Sequence, residues 1–189
     1  MRSRFAVVEA LRKIKTRPAV QSAFDHIMDM LRLCRSDNIG VRDLAPALFL
    51  QLNKDQECYD FLKWYATTGQ EGDYNWGNMD LGFLDVKNAD AFEPVDVFVR
   101  EFADLGHTLS ITLIKIRMLG DLRSLQSSMV FGEKLSQEIV DNVRSQLVST
   151  IISGNKEIMY SRDQSKAIQR LESQVTKLYK AVKKSNPYF

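Results

Sequence analysis

A chain of 189 residues with 44% hydrophobic and 26% charged side chains is long enough to close a sizeable core and too apolar to remain disordered. The net charge of +2 says little by itself, and no apolar run approaches the roughly 18 residues a membrane span requires. Only Cys34 and Cys58 carry thiols and no Asn-x-Ser/Thr acceptor occurs, which fits a reducing, intracellular compartment, cytoplasmic or nuclear.

Taken in order, MRSRFAVVEALRK has the basic start of a signal peptide but a short apolar run broken by Glu9, with no small-residue cleavage site. Phe5, Val8, Leu11 and Ile14 recur at threefold steps, so the segment reads as a short amphipathic helix. The stretch from His26 to Gly69 organises the rest, as three helical pieces joined by tight turns. Val20, Phe24, Ile27, Leu31 and Cys34 share one helix face, with Thr16 and Pro18 marking its start and Ser36, Asp37, Asn38 and Gly40 its end. Leu44, Leu48 and Leu52 form the next apolar row, in which Pro46 is tolerated if Asp43 caps the helix. Asp55 is the expected cap of a third helix carrying Cys58, Phe61, Leu62 and Tyr65.

After Thr67 the helical period stops. Residues 68–94 form one long irregular loop, acidic through Glu71, Asp73, Asp80, Asp85, Asp90 and Glu93, and aromatic through Tyr74, Trp76, Phe83 and Phe92. A flexible tether gains nothing from so many large apolar side chains, so the loop is expected to be packed or functional.

The helical signal returns over Val95–Phe102 and again over Thr108–Met129, where apolar residues cover most of the circumference and predict a central helix. Gly120 within it is explained if another helix crosses closely there. Residues 136–153 read as one amphipathic helix with Ile139, Val143, Leu147 and Ile151 in a row. The last helix, 163–184, places Ile168, Leu171, Val175, Leu178 and Val182 on a short heptad seam expected to pack within its own domain. Pro187 should stop it, and the terminal aromatics of SNPYF suggest a fragment of a longer protein.

Charge is segregated. Arg2, Arg4, Arg12, Lys13, Lys15 and Arg17 make one end basic; Lys166, Arg170, Lys177, Lys180, Lys183 and Lys184 do the same at the other, against the acidic middle loop. The two ends and the middle could dock on each other, or remain solvated faces.

Chemistry is sparse. Cys34, Cys58, His26 and His107 are scattered with no close pair, so no metal site is expected. The run DYNWGNMDLGFLD starts like a calcium loop with Asp73 and Asn75, but Gly77, Asn78 and Leu84 stand where a ligand, the turn glycine and the closing glutamate belong. No phosphate loop, dinucleotide fingerprint or nucleophile elbow is present, and no histidine has an evident partner for a triad; neither catalysis nor a cofactor is expected. Lys177, Tyr179, Lys180, Lys183 and Lys184 are the nearest approach to a nucleic-acid stripe, without a supporting motif, so nucleic acid is not the expected partner.

The string LRLCRSDNIGVRDLAPALFLQLNKDQECYDFLKWYATTG, followed by DYNWGNMDLGFLDVKNADAFEPVD, resembles the helical region of fungal MYND-type zinc-finger proteins, and the likeness extends to QLVSTIISGNKEIM and LESQVTKLYKAVKKSNPYF. The finger's own ligands are absent, so the resemblance carries over no zinc residue. A looser resemblance is to tetratricopeptide repeats: in LFLQLNKDQECYDFLKW, Phe49, the turn at Asn53, then Cys58 and Leu62 follow that pattern, with Asn53 in place of the turn glycine and Arg42 in place of the leading aromatic.

The resulting expectation is an all-α, tetratricopeptide-like array of about seven helices in a single domain over residues 1–189. Its function would be non-catalytic binding of a protein or peptide, through a groove lined by Trp64, Tyr74, Trp76, Asp80, Phe83 and Asp85, with no membrane contact. A support domain for a further C-terminal region is the alternative, and an enzyme a more distant one.

Overall fold

The computed structural model describes residues 1–100, 103–132, 137–186 and 188. Among them all regular structure is helical, with nine α-helices and no strand, so the all-α expectation holds. The chain divides into two compact units, Met1–Ala89 and Asp90–Phe189.

In the first unit, α1 (Arg2–Ile14) and α2 (Arg17–Leu33) meet at Lys15, which turns the chain with a left-handed φ of 58°. Arg4 at the start of α1 pairs with Asp29 near the end of α2, so the two run antiparallel. The short first helix is present as expected, and of its apolar row Val8 alone is buried, while Ile14 is 56% exposed. Helix α2 begins as predicted, with Thr16 flanking it and Pro18 in its first turn, where the missing N–H leaves no bond unmade.

The turn after α2 is built by Asp37. Its φ is 52°, and its carboxylate accepts from the amides of Val41 and Arg42 at 2.9 Å each, which starts the 3-10 turn Val41–Asp43. That turn displaces the expected cap: Leu44, not Asp43, flanks α3 (Ala45–Gln51), and Pro46 still falls harmlessly in the first turn. Asn53, at φ 58°, closes α3 as a Schellman turn, with Asn53 and Lys54 donating to the carbonyls of Leu50 and Phe49 at 3.3 and 3.0 Å. Helix α4 (Asp55–Ala66) follows with Asp55 inside its first turn. Edge-to-face and tilted rings link three of these helices: Phe24 to Phe49 at 4.7 Å, Phe49 to Phe61 at 5.5 Å, Phe61 to Tyr65 at 4.9 Å.

The second unit is centred on α5 (Leu105–Gly132), capped by Asp104 accepting from His107 N at 2.8 Å. Ile111, Ile114, Met118, Leu122 and Leu125 are buried, as expected of a central helix, but Leu113 and Ile116 stay 41% and 48% exposed. The segment read as one helix over 136–153 is two, α6 (Gln137–Ser145) and α7 (Thr150–Ser153). The break is set from α5: the buried Asp121 carboxylate accepts from Val148 N and Ser149 N at 3.1 and 2.6 Å, taking the amides that a continuous helix would spend internally. The expected start at Ser136 and the side chain of Ile139 lie outside the described residues.

A methyl at Gly120 would meet nothing within 4 Å, so no described residue crosses there and the close approach expected of that glycine is not its reason. The segment expected as a helix over Val95–Phe102 is a 3-10 turn at Asp96–Phe98, with Glu101 and Phe102 outside the described residues, as is Pro187. After α8 (Lys156–Tyr160), helix α9 (Ser165–Ser185) packs along α5 through Leu171, Leu178 and Val182, so its seam is used internally.

Candidate functional site

Of the six residues from which the sequence predicted a binding surface, the aromatic ones gather around one side chain of the first unit, Trp64. Trp64, near the end of α4, is fully buried, and rings stand edge-on around it: Tyr65 at 5.0 Å, Tyr74 at 5.4 Å, Trp76 at 6.0 Å and Phe83 at 5.0 Å. Tyr74 and Trp76 also meet each other at 4.8 Å. The loop therefore closes over its own aromatic cluster, as compact surface loops do. Gly69 permits this: a Cβ there would lie 3.2 Å from both Trp64 and Tyr65 ring atoms. Burial, with the Asp37 carboxylate second, pushes the Tyr65 hydroxyl well above its usual range.

Two residues that sequence reasoning missed hold the loop. Arg35, just beyond α2, donates from Nη1 to the carbonyls of Asn78 and Leu81 at 3.1 and 2.9 Å, and from Nη2 to Met79 at 3.0 Å. The same guanidinium lies 5.1 Å from the centre of the Phe83 ring. Asp60, buried on α4, accepts from Asn88 N at 2.8 Å and Ala89 N at 2.9 Å, while Gln56 donates both to Asp60 and to the Ala89 carbonyl at 3.0 Å. A charge inside the apolar run CYDFLKWY was the available signal for Asp60; nothing local distinguishes Arg35 from any arginine after a helix.

Between these anchors the loop satisfies itself. Asn75 and Asn78 accept from the amides of Gly77 and Asp80 at 3.1 and 3.0 Å, and the Tyr74 hydroxyl donates to the Gly82 carbonyl at 2.9 Å. Leu84 adopts a left-handed φ of 52°, which costs a non-glycine residue about 1 kcal/mol. Asn75, which stood like a calcium ligand in the sequence, is thus spent on a turn, as is Asn78.

The six predicted residues divide by exposure. Trp64 is an anchor rather than a contact; Tyr74, Trp76 and Phe83 are half-buried; Asp80 and Asp85 are exposed. Met79 and Leu81, which the sequence reading did not single out, are 57% and 39% exposed and flank Asp80. Gathered here are apolar side chains, ring edges and carboxylates on a fixed backbone, a surface suited to contact and charge attraction. Comparison with family models, with curated proteins and with solved structures gave no match.

Proposed function

We propose that the first unit is a non-catalytic protein-interaction module whose loop over residues 74–85 receives a basic, partly apolar peptide segment. One observation carries the reading: a guanidinium fixes the backbone of Asn78, Met79 and Leu81 by three hydrogen bonds, yet the side chains so positioned, Met79 and Leu81, point into water beside Asp80. Ordering a surface loop costs about 1–2 kcal/mol per residue, and a loop ordered in advance spares that cost on binding. Exposed methionine adapts to varied apolar partners, and Asp73, Asp80 and Asp85 would attract lysine or arginine and raise the encounter rate. The tetratricopeptide-like and MYND-family readings fit the same role, with α3 and α4 as the supporting hairpin.

Both tryptophans of the chain lie in this cluster, Trp64 in its centre and Trp76 at its rim. Titration with peptides alternating lysine and leucine should therefore shift Trp76 emission saturably, and Asp80→Asn with Met79→Ser should remove the response. Emission indifferent to every basic peptide would refute the proposal.

A further inference from the structure

The second unit contains a cleft of about 520 Å³ between the start of the Asp96–Phe98 turn and one face of α9. Lys166, Arg170, Ser173 and Lys177 line it at steps of four, three and four, so α9 presents them in a single row. Asp96 on the opposite wall forms an ion pair with Lys177, and the lysine's hydrogen bond holds the Asp96 carboxyl below its usual range. Neither Lys166 nor Arg170 forms an ion pair among the described residues; the exposed Asp163 carboxylate, one turn earlier on the chain, pulls on Lys166, and both side chains line the cleft as cations. Gln174, only 7% exposed, lines it as well. Its Nε2 donates to the carbonyls of Phe92 and Glu93 at 3.0 and 2.9 Å, and this fixes the amide so that the buried Oε1 lacks any donor.

We infer that this cleft binds a small hydroxylated phosphate monoester, such as a polyol or sugar phosphate. A monoester carries a charge of about −1.5 to −2 at neutral pH, which suits a wall that presents both Lys166 and Arg170. The planar fork of arginine suits phosphate oxygens bidentately, and Ser173 adds a hydroxyl donor. A ligand hydroxyl supplies the donor that Gln174 Oε1 lacks. The volume lies within the range of small-molecule sites, and the walls hold no aromatic ring on which a nucleobase could stack.

The test is calorimetric titration of the full chain at fixed ionic strength with glycerol 3-phosphate, propyl phosphate, inorganic phosphate and sulfate, for the unaltered protein and for Arg170→Gln, Lys166→Gln and Lys184→Gln. Lys184 lies on α9 but outside the cleft and controls for general basicity. All three substituted side chains are exposed, so folding should survive, and thermal midpoints verify it. Glycerol 3-phosphate is expected to bind saturably and more tightly than propyl phosphate. Arg170→Gln should weaken it about tenfold, with Lys184→Gln unchanged. Equal affinity for glycerol 3-phosphate and sulfate would overturn the inference. So would equal losses from Arg170→Gln and Lys184→Gln, or preferential, strongly salt-dependent binding of a polyuridylate added in a further arm; these would mark a diffuse basic helix face instead of a site.

Discussion

Replacing Arg35 by glutamine removes the fork that gathers the carbonyls of Asn78, Met79 and Leu81 and the charge resting over Phe83. Hydrogen bonds from a charged donor contribute about 1.5–3 kcal/mol when buried, and exposed ones much less. One of the three is part-buried and two are exposed, so their sum is about 2–3 kcal/mol, to which the cation–π contact adds about 0.5 kcal/mol. Because Trp64 and Asp60 hold the loop independently at its base and end, the loss should appear as local opening and not as global unfolding. An opening free energy lowered by about 3 kcal/mol speeds amide exchange by about two orders of magnitude. The amides to follow are those of Gly77, Asn78 and Asp80, which are bonded only within the loop. Arg35→Lys should be nearly as damaging, since an ammonium keeps the charge but lacks the planar fork. Unchanged exchange at these amides would refute the role given to Arg35, as would equal acceleration throughout α2 and α4.

Asp60→Ala strands the amides of Asn88 and Ala89 and should lower the stability of the first unit by about 2–4 kcal/mol, read from its urea midpoint; a loss under about 0.5 kcal/mol would exclude the clamp. Gly120→Ala should raise the stability of the second unit by about 0.5–1 kcal/mol, because a methyl there meets open space and helix propensity alone decides; destabilisation would show an unseen neighbour. Lys115 is fully buried on α5 and donates to the Ala91 carbonyl. Desolvation lowers its pKa to about 8, against the pull of Asp90 and Glu93 and with a push from Arg170. A base whose folded pKa lies below its unfolded value binds fewer protons when folded, so the unfolded state is the better proton binder between about pH 8 and 10.5 and stability rises through that window. The protein should therefore gain about 2–3 kcal/mol relative to Lys115→Met between pH 7.5 and 10, and a constant difference between the two would disprove the shift.

The aromatic loop was legible as ordered, because Tyr74, Trp76 and Phe83 have no reason to sit in a tether, and those rings do pack around Trp64. What fixes it was not legible. Arg35 acts on carbonyls more than forty positions away, and a backbone carbonyl has no residue type that a sequence could reveal. Asp121 breaks the expected 136–153 helix in the same manner, from another helix 27 and 28 positions away.

Periodicity determined that this chain is helical, where α2, α4 and α9 run, and that Pro46 and Asn53 are compatible with their turns, because those are decided within a few residues by sterics and side-chain spacing. Only the tertiary structure decided that the chain gathers into two compact units and that Trp64 is an anchor while Met79 and Leu81 face water. Burial and backbone hydrogen-bond partnership depend on which distant segments meet, and sequence spacing does not record that.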